Sequence, residues 1–355
     1  MIRALLSHDL PRSRWLTLLL VVTVLGLALA PFLFPGTKSL NVAAKALVFI
    51  ALVVSYDLLL GYTGIVSFAH TMFFGIGAYG IAIASSRMEP SWTALGLGLA
   101  AALLASLLLS LVIGLASLRV KAIFFAMITL AVASASLTLA SQLSEFTGGE
   151  DGLNFRLPAL LRPATQFLDE PVFGVTVDGR LLTYYLVFFT VAALVLLMLR
   201  IVNSPFGRVL MAIRENAFRA EAIGYRTVVY RTASNVLAAL FATVAGALLA
   251  LWLRYAGPET SMSFEIMLDV LLIVVIGGMG TVYGAVIGSV LFVLAQNYLQ
   301  DLMRLAEGPL GDVPVLGALV SPDRWLLWLG VLFVLSVYHF PTGIVGRLRS
   351  ASLKR

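Results

Sequence analysis

Asp57, His70, Glu265 and Asp269 are ionisable residues set inside otherwise apolar stretches. At membrane depth such groups mark ion or proton pathways, contacts to a solute, or hydrogen bonds that tie helices together. His70 is a lone imidazole; its ordinary role there is a bond to a neighbouring helix, with proton relay as the alternative. Asp57 falls a turn from the end of its stretch, where it reaches interfacial water or serves transport. Glu265 and Asp269, spaced i, i+4, share a helix face. They could look into a hydrated cavity, touch substrate, or pair with Arg254.

Two glycine-rich runs accompany these residues. Gly61 to Gly80 (GYTGIVSFAHTMFFGIGAYG) sets Ser67, His70 and Tyr79 among five glycines, Gly75 and Gly77 included. Glycine lets helices pack closely or unwind, and an unwound helix offers backbone groups to a polar solute. Ile276 to Ser289 (IGGMGTVYGAVIGS) adds Gly277 and Gly278. In it Gly280, Gly284 and Gly288 recur every four residues, which predicts a small-residue packing stripe on one helix face. Thr147 to Gly152 (TGGEDG) is a polar turn, solvated or in contact with a partner or substrate.

Catalytic constellations are missing from the sequence. There is no G-x-x-x-x-G-K-[ST] phosphate loop, no H-E-x-x-H, and no assembled Ser/His/Asp set. With no cysteine and three scattered histidines (8, 70, 339), a metal centre is not expected, nor a cofactor bound by this chain. If ATP drives the protein, another subunit supplies it.

The elements that carry these residues are membrane spans. Of the 355 residues, 60% are hydrophobic and 12% charged, about half the charge of an ordinary soluble domain, and mean hydropathy is +1.00. The expected fold is an all-α polytopic bundle of about ten transmembrane helices, eight to ten if the glycine-rich parts of 64–85 and 263–300 are broken. The spans are 15–34, 41–60, 64–85, 91–116, 119–141, 181–200, 233–254, 263–278, 281–300 and 324–341. The first follows a basic start but is long and lacks a small-residue cleavage site, so it reads as an uncleaved span.

With residues 1–14 inside, the segments 61–63, 117–121, 200–232, 279–280 and 342–355 also fall in the cytosol. These six segments hold 15 of the 24 Lys and Arg but 3 of the 18 Asp and Glu, as the positive-inside rule requires. The organisation is thus a cytoplasmic N-terminus, a permease domain over 15–341 and a basic cytoplasmic tail over 342–355. The acidic loop 142–180 faces outward. Dispersal of the basic residues at membrane boundaries favours lipid and topology over nucleic acid.

Within that layout 200–232 is the longest cytoplasmic segment, with six arginines against Glu215 and Glu221. Val209, Leu210, Ile213, Ala217, Ala220, Ile223 and Gly224 fall on one face at helical spacing, and that face could dock into a partner's groove.

Several segments in order resemble the permease subunits of branched-chain amino acid ABC importers, of the LivM type. They are GIVSFAH at 64–70, FFGIGAY at 73–79, TGG at 147–149 with Gly152-Leu153, Gly207-Arg208, Ala212-Ile213-Arg214-Glu215-Asn216, and IGGMG at 276–280. The resemblance runs from about residue 40 to 340. It implies a pore of two related permeases, two cytoplasmic ABC ATPase subunits carrying ATP and Mg, and a periplasmic substrate-binding protein, all at the bacterial inner membrane. It makes 200–232 the coupling element, with Gly207, Arg214, Glu215, Asn216 and Gly224 at the ATPase contact. Glu150 departs from the family pattern, and Phe218 and Arg219 add bulk to the island. Relatives of this fold import urea, short amides or other amino acids, so the resemblance does not set the ligand. A stand-alone secondary transporter would place its ionisable residues near the bilayer centre and leave the basic island idle. An intramembrane enzyme would need an acid/base set that is not there.

Overall fold

The computed structural model describes residues 13–117, 122–168, 170, 175–310, 321–340 and 342–353. Most of the N-terminal segment, residues 118–121 of the short basic loop, residues 311–320 and the last two residues of the tail lie outside the described residues. The helices are α1 (Arg14–Leu33), α2 (Thr37–Asp57), α3 (His70–Arg87), α4 (Trp92–Ser117), α5 (Ala122–Gln142), α6 (Gly179–Asn203) and α7 (Pro205–Glu215). They continue with α8 (Ala217–Ala222), α9 (Thr227–Leu253), α10 (Phe264–Gly277), α11 (Val282–Leu310), α12 (Trp325–His339) and α13 (Gly343–Leu353).

Among the described residues, nine helical segments are long and apolar enough to cross a bilayer. The expected span 64–85 is different. After α2 the chain makes a π turn over Leu58–Thr63, ends it at Gly64 in the left-handed region (φ 72°), and runs without regular structure until α3 starts at His70. This central element is the broken segment that its glycines allowed for. Helix α3 is not among the nine because its eighteen residues are less apolar, with His70 and Thr71 at the start and Ser85, Ser86 and Arg87 at the end; His70, Thr71 and Tyr79 are buried in protein. Other bounds shift by a few residues, most at α9, which begins at Thr227 inside the expected cytoplasmic segment, and at α11, which continues to Leu310.

Burial sorts the helices into centre and rim. The apolar windows of α2 and α9 are 94% and 72% buried, against 22% for both α1 and α5. Rim helices expose Val22, Leu104, Met127, Phe189 and Leu332, an apolar surface fit for lipid or another membrane-embedded chain. Hydrophobicity does not drive helix against helix in lipid, so the centre is held by close backbone approach and polar bonds. A Cβ at Gly77 would stand 1.8 Å from the Thr243 carbonyl oxygen, and one at Gly246 1.7 Å from that of Phe74. Alongside, Thr243 Oγ1 donates to Ser106 Oγ (2.6 Å) and Asn235 Nδ2 to the Ser110 carbonyl (3.0 Å), fastening α9 to α4. Pro31 inside α1 removes the amide that would bond to the Leu27 carbonyl; the Tyr184 hydroxyl donates to that oxygen instead, at 2.5 Å.

The segment between α5 and α6 is tied to itself and to the end of α9. Thr147 Oγ1 donates to the carbonyls of Ala140 (2.6 Å) and Leu143 (2.7 Å). Strands β1 (Leu153–Asn154) and β2 (Tyr255–Ala256) pair antiparallel, Leu153 opposite Ala256.

Candidate coupling and translocation sites

At one end of the bundle three chain turns meet in backbone contact. A Cβ at Gly61 would lie 2.3 Å from the Gly280 amide nitrogen, and one at Gly343 2.2 Å from Gly278 Cα. Gly278 and Gly280 have φ of 116° and 77°, so this turn between α10 and α11 needs glycine at both places. The Asp57 carboxylate closes the junction: its Oδ1 accepts the Gly280 N–H at 2.8 Å. Asp57 is buried, so it does not reach interfacial water as its position near a helix end suggested. Arg214, in the last turn of α7, donates through Nη1 to the Gly61 carbonyl. Asp57→Leu would orphan the Gly280 N–H at a cost of about 1–3 kcal/mol, whereas Asp57→Asn keeps an acceptor. The thermal midpoint of the purified protein is expected to fall for the first variant and to hold for the second; equal midpoints would remove the carboxylate from the closure.

Arg214 thus binds within the chain, and so does the helix that bears it. Ser204 caps α7, accepting from the Gly207 amide at 3.4 Å, with Pro205 at the first helical position. Gly207 fits because a Cβ there would meet the Val202 carbonyl at 2.1 Å. Asn216 breaks the segment and caps α8, its Oδ1 accepting from the Arg219 amide at 2.9 Å. Gly224, at φ 98°, turns the chain toward α9. The face expected to fill a partner's groove is largely turned inward: Leu210, Ile213 and Ala220 are buried against the bundle. Of that face Ile223, at 69%, stays exposed, and off it Met211 and Phe218, at 83%, are exposed, beside the exposed Glu215 and Arg219. The apolar periodicity is real, but through Leu210, Ile213 and Ala220 it marks mainly the side that packs on the chain itself.

Around the break between α2 and α3, Ser55 Oγ lies 2.8 Å from His70 Nε2 and donates its proton to the Leu52 carbonyl (2.6 Å). The imidazole is therefore the donor in that pair, and with Tyr56 packed on its ring at 5.2 Å it clamps α3 to α2. Ser67 and Tyr79 are buried nearby, and a Cβ at Gly75 would meet Met262 Cγ at 2.2 Å. Gly277 and Gly284 are in backbone contact across the α10–α11 hairpin, where a Cβ at Gly277 would be 2.1 Å from the Gly284 carbonyl. Gly280 is not part of that helix-face stripe; it lies in the turn before α11.

The opposite end of the bundle holds a cavity of about 720 Å³ lined by residues of α2, α3, α9, α10 and α11. Glu265 and Asp269 both line it. Asp269 accepts from Gln296 Nε2 at 3.2 Å, and Gln296 Oε1 accepts from Lys45 Nζ at 2.8 Å. Among the described residues the one salt bridge joins Lys38 to Asp301 at the rim, so Glu265 does not pair with Arg254. Sequence reasoning misses Lys45 and Gln296. A signal is nevertheless present, since Lys45 is a cation within the span 41–60, as informative as Asp57.

A polytopic bundle with a broken central helix, a cavity at one end, a backbone junction at the other and a short helix pair attached to it is the organisation of a solute permease. The chain matches the family model described as branched-chain amino acid transport system, permease component, over residues 39–337. It belongs to that family, and is a non-catalytic, multi-pass membrane component of a multi-subunit ABC transport system. The high-affinity branched-chain amino acid transport system permease proteins LivM of Salmonella typhimurium and Escherichia coli are each 27% identical to it, across 87% of this chain and 74% of theirs. A probable LivM protein of Methanocaldococcus jannaschii is 27% identical over 41% of each chain. No solved structure matches it.

Proposed function

We propose that this chain is one of two paralogous permeases in an importer that carries branched-chain or other hydrophobic amino acids into the cell. Two cytoplasmic ATPases hydrolyse Mg-ATP, and a periplasmic binding protein delivers the substrate. The junction end faces the cytosol and the cavity end the periplasm, with both termini cytoplasmic. Segments 200–232 and 342–355, placed inside by charge, and 61–63 and 279–280, placed there by the alternation of spans, meet at one end, which supports this orientation.

One observation carries the reading. Helix α7 binds the turn at Gly61 through Arg214 and buries Leu210 and Ile213, while α8 and the residue after it present Phe218 and Ile223 to whatever lies beyond the membrane. An exposed aromatic beside Arg219 is the composition of an interface anchor. An ATPase that moves this pair moves the junction rigidly with it.

The test is co-expression and affinity purification in mild detergent, followed by reconstitution and ATP-driven uptake of radiolabelled leucine. Recovery of the ATPases with ATP-dependent uptake is the expected result; a homo-oligomer that accumulates leucine without ATPases would favour a secondary carrier. Phe218→Asp is expected to weaken ATPase binding by about 2 kcal/mol, roughly 30-fold, while the variant inserts normally. Unchanged recovery of ATPase would move the contact elsewhere.

A further inference from the structure

We propose that the cavity between α2, α10 and α11 is a binding site for the zwitterionic head of an α-amino acid, with Lys45 taking the carboxylate and Asp269 the ammonium. The assignment of an amino acid as cargo rests on the importer reading; the charge pattern of the site stands on its geometry.

Lys45 and Asp269 project from different helices into one cavity and do not touch. Gln296 of α11 lies between them, its carbonyl oxygen accepting from Lys45 at 2.8 Å and its amide nitrogen donating to Asp269 at 3.2 Å. A primary ammonium has three protons to donate and a carboxylate about four acceptor positions, so one amide leaves both groups with capacity for a ligand. Both are half-buried and line the cavity wall, where a charge interacts more strongly than in bulk water.

The amide also describes the ligand. It presents an acceptor to the lysine and a donor to the aspartate, a few bonds apart. An amino acid head presents the same pair in the same order, carboxylate then ammonium, with a full charge on each. Such a ligand makes bonds charged at both ends where the amide makes bonds charged at one end only. A plain anion would meet Asp269, and a plain cation Lys45, without compensation, so the arrangement selects a molecule bearing both signs. Beside the charged wall, Phe49, Phe74, Leu249 and Ile266 form an apolar one for the side chain. The volume of about 720 Å³ is within the roughly 300–1,000 Å³ typical of small-molecule sites. Lys38, Glu259 and Glu265 also line the cavity, so both signs are represented there as well.

Trp252 lines the same cavity and is one of five tryptophans; replacing Trp15, Trp92, Trp325 and Trp328 by Phe leaves it as sole reporter in the full chain. In lipid nanodiscs, L-leucine is expected to change Trp252 emission saturably. Leucinol, which lacks the carboxylate, and 4-methylpentanoate, which lacks the ammonium, are expected to need at least about 10-fold higher concentration, the loss of one charged hydrogen bond. Lys45→Met and Asp269→Asn should abolish the leucine response, and Lys45→Arg should keep it. Silence toward leucine, or equal responses to all three compounds, overturns the proposal. The analogue series uses intact side chains at the site, so its outcome does not depend on whether a variant folds. ATP-driven uptake by the reconstituted complex separates the two readings. Wild-type uptake that persists in Lys45→Met overturns the site and leaves the importer standing, whereas a Trp252 response with no ATP-driven uptake supports the site and overturns the importer.

Discussion

Gly77→Leu is expected to abolish transport and to lower the thermal midpoint of the purified protein more than Asp57→Leu or Phe218→Asp does. A first carbon on Gly77 would already stand 1.8 Å from the Thr243 carbonyl oxygen, and backbone cannot turn aside as a side chain can. Helices α3 and α9 must separate, and with them the reciprocal approach of Gly246 to Phe74 and the Thr243–Ser106 bond are lost. Overpacking a core commonly costs about 1–3 kcal/mol; with backbone as the obstacle, about 3 kcal/mol or more is expected. Gly96→Ala is the matched control. Nothing lies within 4 Å of its added carbon, and an alanine in mid-helix gains about 0.5–1 kcal/mol over glycine. Thermal unfolding followed by size-exclusion fluorescence checks both. A Gly77→Leu protein that unfolds with the wild type would mean that this contact is not what holds the centre.

Arg214→Glu is expected to leave the protein inserted and assembled but to cut ATP-driven uptake at least about 10-fold, the equivalent of 1.4 kcal/mol of coupling. The guanidinium is the hydrogen bond by which α7 holds the Gly61 carbonyl at the end of α2. That carbonyl belongs to the turn that touches Gly280, whose amide is held by Asp57. A carboxylate in place of the guanidinium cannot donate to the carbonyl, and it adds a second negative group beside Asp57. The helix pair could then move with its ATPase while the junction stayed behind. Arg214→Lys, with a shorter reach but a donor, should retain part of the uptake. The measurement is leucine taken up per ATP hydrolysed in proteoliposomes: a fall in that ratio is coupling lost at the junction. A variant that instead fails to bind the ATPases would place Arg214 at the intersubunit surface.

The helical membrane class was legible because lipid imposes one rule on every span: its backbone must be satisfied internally and its surface must be apolar. Composition and run length therefore lead directly to α1, α4, α5 and α6, whose exposed leucines and phenylalanines need no partner to interpret. The ordered signatures at 64–79, 207–216 and 276–280 were equally legible, and family membership follows from them. Charge counting grouped the turns at 61–63 and 279–280 with the basic island, although neither turn has a charge of its own; the alternation of spans did that work.

Contacts between distant segments were not legible. Periodicity in 200–232 identifies an apolar face but not what covers it, and only the packing of Leu210 and Ile213 on the bundle turned that face inward and left Phe218 outside. The glycines of 61–80 and 276–289 signal close approach without naming the partner; Gly77 meets Thr243, and Gly280 meets Gly61, because the fold brings residues more than a hundred positions apart so close that no Cβ fits between them. Lys45, Asp269 and Gln296 are each ordinary in their own spans. By itself the sequence determined that this chain lives in lipid, about how often it crosses and which family it belongs to, since those follow from local apolarity and ordered motifs. Tertiary structure alone decided which buried polar groups face one another, because a hydrogen bond between helices depends on their rotation and depth, and neither is written in the residues of one helix.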